Sequence, residues 1–91
     1  PDEGMVFLFP DARQRVFWMK DMLIPIDIVW LSEGVVLGIE FNVSPPQPGT
    51  ADGALARYHS PGPVDAVIEL AAGRAAHIGL VPGQRVDFPL R

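Results

Sequence analysis

Asp27 stands between Ile26 and Ile28 in an apolar run, and a lone carboxylate is expensive to bury unless it is paired, hydrogen-bonded or protonated. Lys20 is the only lysine in the chain, and it ends the segment that precedes that run. A Lys20–Asp27 ion pair would bridge the connection over residues 21–25. Alternatively, Asp27 accepts backbone N–H groups from the same connection and holds it in shape. Such a structural latch is the preferred reading, because structural ion pairs commonly perturb carboxylates. The functional reading puts the same two side chains in a cleft as a general acid/base or ligand-orienting pair. Trp18 joins them by alternation, with Val16, Trp18 and Lys20 on one strand face and Phe17 and Met19 on the other. An aromatic ring beside a polar pair is the usual floor of a saccharide or small-molecule pocket, whereas packing against a second layer is its commoner role. Glu69, in a second apolar segment, is the other carboxylate available for acid/base work. The expected ligand cleft is therefore Trp18, Lys20, Asp27 and Glu69.

Other polar residues carry weaker signals. Asn42 fits a turn-former that caps local backbone, with a loop contact to ligand as the alternative. Tyr58, His59 and Ser60 form a polar-aromatic tip that could close over a ligand, although surface solvation is commoner. Asp2, Glu3 and Asp52 read as solvated surface. No metal site is expected: His59 and His77 are isolated, and the chain has no cysteine. Ser32, Ser44 and Ser60 lack a nucleophile-elbow context, and no glycine-rich phosphate loop is present. No cofactor is expected.

These side chains must be positioned by strands. Met5–Phe9 is an apolar run ended by Pro10-Asp11, and residues 11–14 read as a hairpin connection to a strand over Arg15–Met19. Pro25 blocks helix and biases Ile24 toward extended backbone. Ile26–Leu31 has five apolar residues of six, the pattern of a central strand covered on both faces. After the turn Ser32-Glu33-Gly34, Val35–Val43 forms a further strand, bent at Gly38 and able to pair back on Ile26–Leu31. Residues 44–63 hold five of the ten prolines and three of the nine glycines, and read as one long mobile loop. Ala66–Leu70 returns to strand, and Ala71–Ile78 is a short helix capped by Gly79. Pro82-Gly83 signals a type II turn before a closing strand over Arg85–Phe88. The expected architecture is mainly β: one domain over residues 1–91, a small β-sandwich or partly open barrel with a single short helix near the C-terminus.

Composition excludes several classes of partner. The net charge is −4 with no basic run, against a nucleic-acid surface and against an anionic membrane surface. No stretch approaches the roughly 18 apolar residues of a membrane helix, so a soluble chain without membrane insertion is expected. With no cysteine, disulfides are excluded. The chain begins at Pro1, and any signal segment would precede it.

The strings Gly4-Met5-Val6-Phe7-Leu8-Phe9-Pro10 and Phe17-Trp18-Met19-Lys20-Asp21-Met22-Leu23-Ile24-Pro25-Ile26-Asp27, with Asn42-Val43-Ser44-Pro45 and Glu69-Leu70-Ala71-Ala72-Gly73, are not generic. Over nearly the whole chain the sequence resembles domain-of-unknown-function family 192, an uncharacterised conserved-region family. The resemblance implies a compact β-sandwich-like fold with a short helix, and a periplasmic or extracellular location; it implies no activity. Two departures stand out. Relatives usually begin with a further strand and an Arg-Gly-Leu-Met-like segment behind a secretion or lipoprotein signal, so the resemblance implies a chain that starts inside the domain. Many relatives carry a cysteine pair in the long loop, where this chain has Gln47 and Gly49. No disulfide or metal role carries over.

The leading expectation is a binding or interaction module for a small polar ligand such as a saccharide or peptide. A cofactor-independent hydrolase using Asp27 or Glu69 as acid/base is the rival, and a structural accessory domain without a small-molecule site is the third reading.

Overall fold

The computed structural model describes residues 4–20 and 22–86. Its main element is an antiparallel sheet of β1 (Met5–Arg13), β6 (Val64–Ala71), β3 (Ile26–Ser32) and β4 (Val35–Val43), in the order β1-β6-β3-β4. A second, two-stranded sheet pairs β2 (Val16–Trp18) with β5 (Arg57–His59). A 3-10 turn over Asp52–Ala54 and the helix α1 (Arg74–His77) complete the described elements.

β3 is the centre of the fold, as its apolar run predicts. Every residue from Ile26 to Leu31 is buried, with β6 on one side and β4 on the other. Alternation divides the core in two. Ile26, Ile28 and Trp30 pack with Met19, Val43, Val64 and Val67 under the small sheet, which adds Phe17 and Tyr58. Val29 and Leu31 face the other way, onto Val36, Ala66, Ile68 and Ala75, with Leu80 closing over them. Both faces of the main sheet are therefore covered, one by β2 and β5 and the other by α1 and the segment after it. This is a small sandwich rather than a closed barrel.

β4 follows through a two-residue turn in which Glu33 and Gly34 have φ of 49° and 80°, the sign a tight hairpin turn requires. The bend expected at Gly38 is a bulge: pairing passes from Trp30↔Gly38 to Leu31↔Val36. A Cβ on Gly38 would stand 3.2 Å from Pro61 Cγ, so glycine lets the chain around Pro61 lie close to the sheet.

Four expectations need correction. β1 does not stop at Pro10 but runs on to Arg13. It is an edge strand whose pairing with β6 shifts register between Leu8 and Arg13, and proline is tolerated at such positions. β2 does not form a hairpin with β1, nor does it pair with β3; Val16, Phe17 and Trp18 pair with His59, Tyr58 and Arg57. Beside β1, Phe17 and Met19 would lie at the rim of the sheet. Crossing its face puts both onto the cluster around Ile28 and Trp30.

The span 44–63 is not one loop, because it contains the 3-10 turn, β5 and two buried residues, Leu55 and Ser60. Finally, the helix is only Arg74–His77. Ala71 is held in β6 by pairing with Ile26, and the chain reverses at Gly73 with φ 90°. Gly79, at φ 79°, ends the helix as expected, with Leu80 N–H donating to Ala75 O at 3.0 Å. The Pro82-Gly83 turn forms, with Gly83 at φ 90° and Gln84 N–H bonded to Val81 O at 3.2 Å. Of the closing strand, Arg85 bridges to Val35 and Val86 N–H bonds Gly34 O at 2.7 Å; Asp87 and Phe88 lie outside the described residues.

Candidate functional site

Asp27 is fully buried, and its carboxylate is held by backbone alone. Oδ1 accepts the Asn42 N–H at 2.8 Å, and Oδ2 accepts the N–H groups of Gly73 at 3.1 Å and Ala75 at 3.0 Å. Two local conformations make this possible. Asn42 has φ 54° and Gly73 φ 90°, each turning an N–H inward from the end of a strand. Asp27 thus ties β4, the β6–α1 turn and the first turn of α1 to the central strand. The sequence anticipates backbone N–H donors for Asp27, but from the wrong segment: residues 21–25 are local, whereas these donors come from the far ends of β4 and β6.

The Lys20–Asp27 ion pair does not form. Lys20 Nζ lies 2.9 Å from Asp52 Oδ2, and 5.4 Å from the centre of the Trp18 ring. Arg57, the cross-strand partner of Trp18, places its guanidinium 4.5 Å from the same ring and donates to Leu55 O at 2.9 Å. Two cations therefore flank one indole, an arrangement in which the ring quadrupole attracts both. Below Lys20 opens a cavity of about 290 Å³, walled by Pro46, Pro48, Thr50 and Leu23 with Lys20 and Asp52 as its charged groups. Leu23 is 89% exposed at its rim. Trp18 stands beside this cavity, in contact with Lys20, and is not part of its wall.

Glu69 lies elsewhere. It pairs with Ile28, while its neighbour Leu70 pairs with Asp27, so Glu69 and Asp27 project from opposite faces of the sheet. Glu69 is half-buried and lines a second cavity with Met5, Met22, Ile24 and Ile26. Desolvation by these apolar neighbours pushes its carboxyl above the usual glutamate range. The four expected cleft residues are thus split: Trp18 and Lys20 together, Asp27 inside the core, and Glu69 apart.

Asn42 is exposed and contributes its backbone N–H to Asp27. Tyr58 and His59 are not a loop tip but part of β5, with Tyr58 packed on the core and His59 exposed opposite Val16. Ser60 is buried, accepting the Arg15 N–H at 2.8 Å and donating to Gly62 O at 2.7 Å. Asp52 is exposed, in keeping with its reading as solvated surface, but its pairing with Lys20 and the place of Arg57 beside Trp18 were not anticipated. Asp52 sits in a Gly-rich polar stretch that resembles any solvated turn, and only pairing of β2 with β5 brings Arg57 to Trp18. Among the described residues, no group of three His, Cys, Asp or Glu side chains could hold a metal ion, and no helix is long and apolar enough to cross a membrane.

Two crystal structures share the fold. A protein of unknown function from Novosphingobium aromaticivorans DSM 12444 is 32% identical, with a TM-score of 0.81 over 94% of this chain and 57% of that one. A proposed transcription regulator from Sinorhizobium meliloti 1021 is 34% identical, with a TM-score of 0.80 over 93% of this chain and 61% of that one. The chain spans about three-fifths of the length of these relatives. No curated protein matches it. The family model DUF192, described as uncharacterized ACR, matches residues 1–88. With the motif strings around Trp18 and Asp27 now seen to build the second layer and the buried carboxylate node, the chain belongs to the DUF192 family.

Proposed function

We propose that this domain is a binding module that takes a small polar ligand, a saccharide or a peptide, in the cavity beside Lys20. One observation carries the reading: Lys20 Nζ is 2.9 Å from Asp52 Oδ2 and 5.4 Å from the Trp18 ring centre, at a cavity of about 290 Å³. An ammonium offers donors and a carboxylate offers acceptors, the alternation that sugar hydroxyls or a peptide unit require. Pro46 and Pro48 form a wall with little conformational freedom to lose on binding, and the volume suits a ligand at the small end of the usual range.

The rival hydrolase has less support. Asp27 already accepts three N–H groups, and Glu69 faces away from it, so the two do not form an acid/base pair. Nucleic-acid binding does not enter the proposal, although one structural relative is described as a proposed regulator: this chain carries net charge −4 without a basic cluster.

A thermal-shift screen of mono- and disaccharides and short peptides tests the proposal, since a ligand specific to the folded state raises Tm. The expected result is at least one stabilising compound whose effect disappears in Lys20→Met. A flat response across the panel favours a structural accessory domain instead.

A further inference from the structure

Among the described residues, Glu69 is the one ionisable side chain lining a cavity of about 260 Å³ whose apolar walls are Met5, Met22, Ile24 and Ile26. Register explains its direction. Glu69 stands opposite Met5 on β1 and Ile28 on β3, and Ala71, two residues on, stands opposite Ile26. Alternation therefore turns Glu69 toward the face of the main sheet that carries Ile26 and Ile28, the face on which Met22 packs. The cavity lies between that face and the connection that supplies Met22 and Ile24.

The Glu69 carboxylate has no counter-ion. Among the described residues none donates a hydrogen bond to it or pairs with it, and desolvation alone raises its carboxyl above the usual range. It is nevertheless reachable from solvent: Glu69 is only half-buried, and Met5 and Ile24 beside it are 56% and 49% exposed.

These properties select an occupant. A hard cation such as Ca²⁺ takes about six or more oxygen ligands, which one carboxylate among thioethers and isoleucines does not supply. An anion is repelled, and a neutral apolar molecule leaves the carboxylate uncompensated. An alkylammonium ion satisfies both parts of the wall. Its ammonium donates to the carboxylate as a charge-assisted hydrogen bond, and its tail covers the isoleucines and the methionines, whose flexible side chains adapt to its shape. The volume limits that tail to a few carbons. We infer that the cavity between β1 and the β2–β3 connection binds a small hydrophobic amine as its ammonium ion, with Glu69 as the counter-ion.

The test is an NMR titration at neutral pH of protein carrying ¹³C in its methionine methyl groups. The three methionines give three signals. Met22 is a wall common to this cavity and the one beside Lys20, so the assignment rests on Met5, which lines this cavity and not the other. Met19, buried and outside both walls, is the internal control. Hexylammonium is expected to move the Met5 signal saturably while Met19 stays in place. Hexanol, which has the tail without the charge, and methylammonium, which has the charge without the tail, should each bind about tenfold more weakly. In Glu69→Gln the preference for hexylammonium over hexanol should vanish while hexanol binding is kept. An unmoved Met5 signal, equal binding of hexylammonium with either control, or a preference that survives in Glu69→Gln would overturn the inference. The comparison of the three compounds is made on the unaltered protein and does not depend on a variant that folds. The Trp18 indole reports the saccharide or peptide site separately, so the two readings stand or fall independently.

Discussion

The Asp27 carboxylate and the Ala75 N–H are 3.0 Å apart across 48 positions of sequence, and this bond fastens the only described helix to the central strand. Together with the bonds from Gly73 and Asn42, it makes Asp27 a junction of three chain segments. The aspartate whose setting in the sequence favours a structural latch over an acid/base role is therefore committed to the fold, through backbone donors rather than Lys20.

Asp27→Asn tests that assignment. An amide has one acceptor oxygen, and its NH₂ must then confront at least one of the three N–H groups. Orphaned buried donors and lost charge-assisted bonds together cost about 2–4 kcal/mol. In a 91-residue domain that lowers Tm by roughly 10–25 °C, measured by thermal melting in circular dichroism. A Tm within a few degrees of the parent would remove the junction from the account.

Lys20→Met should behave oppositely. Both side chains of the Lys20–Asp52 pair are well exposed, and such pairs contribute no more than about 1 kcal/mol. The expected Tm stays within several degrees of the parent while ligand binding is lost. That split, stability kept and affinity gone, separates Lys20 from Asp27 in role.

Glu69 provides a pH signature. Desolvation raises its carboxyl above the ordinary value of 4.5, so the folded state holds the proton more tightly than the unfolded chain. Its favourable contribution is complete below that ordinary value and is lost as pH rises through the raised one. Glu69→Gln, which cannot ionise, should raise Tm relative to the parent at neutral pH and lose that advantage near pH 4.5. Parallel Tm profiles for the two proteins would show that Glu69 is solvated as in the unfolded chain.

Gly73 carries the positive φ that aims its N–H at Asp27. Open space surrounds it, so Gly73→Ala meets only backbone strain, about 1–2 kcal/mol or roughly 5–10 °C in Tm. Gly53 is equally open but lacks a positive φ, and Gly53→Ala should leave Tm nearly unchanged.

Much of this could be read from the sequence, where local pattern and tertiary demand agree. The uninterrupted apolar run at Ile26–Leu31 marked a strand covered on both faces, and Gly38, Gly79 and Pro82-Gly83 marked a bulge, a helix end and a turn. The misreadings share a cause. Pro10 looked like a stop because its edge position, where proline is harmless, is a property of the sheet. Arg57–His59 looked like loop because a three-residue strand has too little periodicity to register without its partner β2. Of the candidate site, the proximity of Trp18 and Lys20 was legible from their spacing of two residues, although β2 ends at Trp18 and Lys20 lies in the turn that follows. Asp52 and Arg57 were not, because long-range closure of the span 44–63 brings them there. Asp27 announced itself as buried and hydrogen-bonded, but its donors lie 15, 46 and 48 positions away, beyond any local signal.

Binding of a small polar ligand beside Lys20 can be read from a ¹⁵N–¹H spectrum of the protein recorded with each saccharide and short peptide of the panel. At least one compound is expected to shift the Trp18 indole signal saturably while Trp30 stays fixed, and Lys20→Met and Asp52→Asn are each expected to abolish that shift without loss of fold. A panel in which no compound moves Trp18, or one in which the shift persists undiminished in both variants, would contradict it.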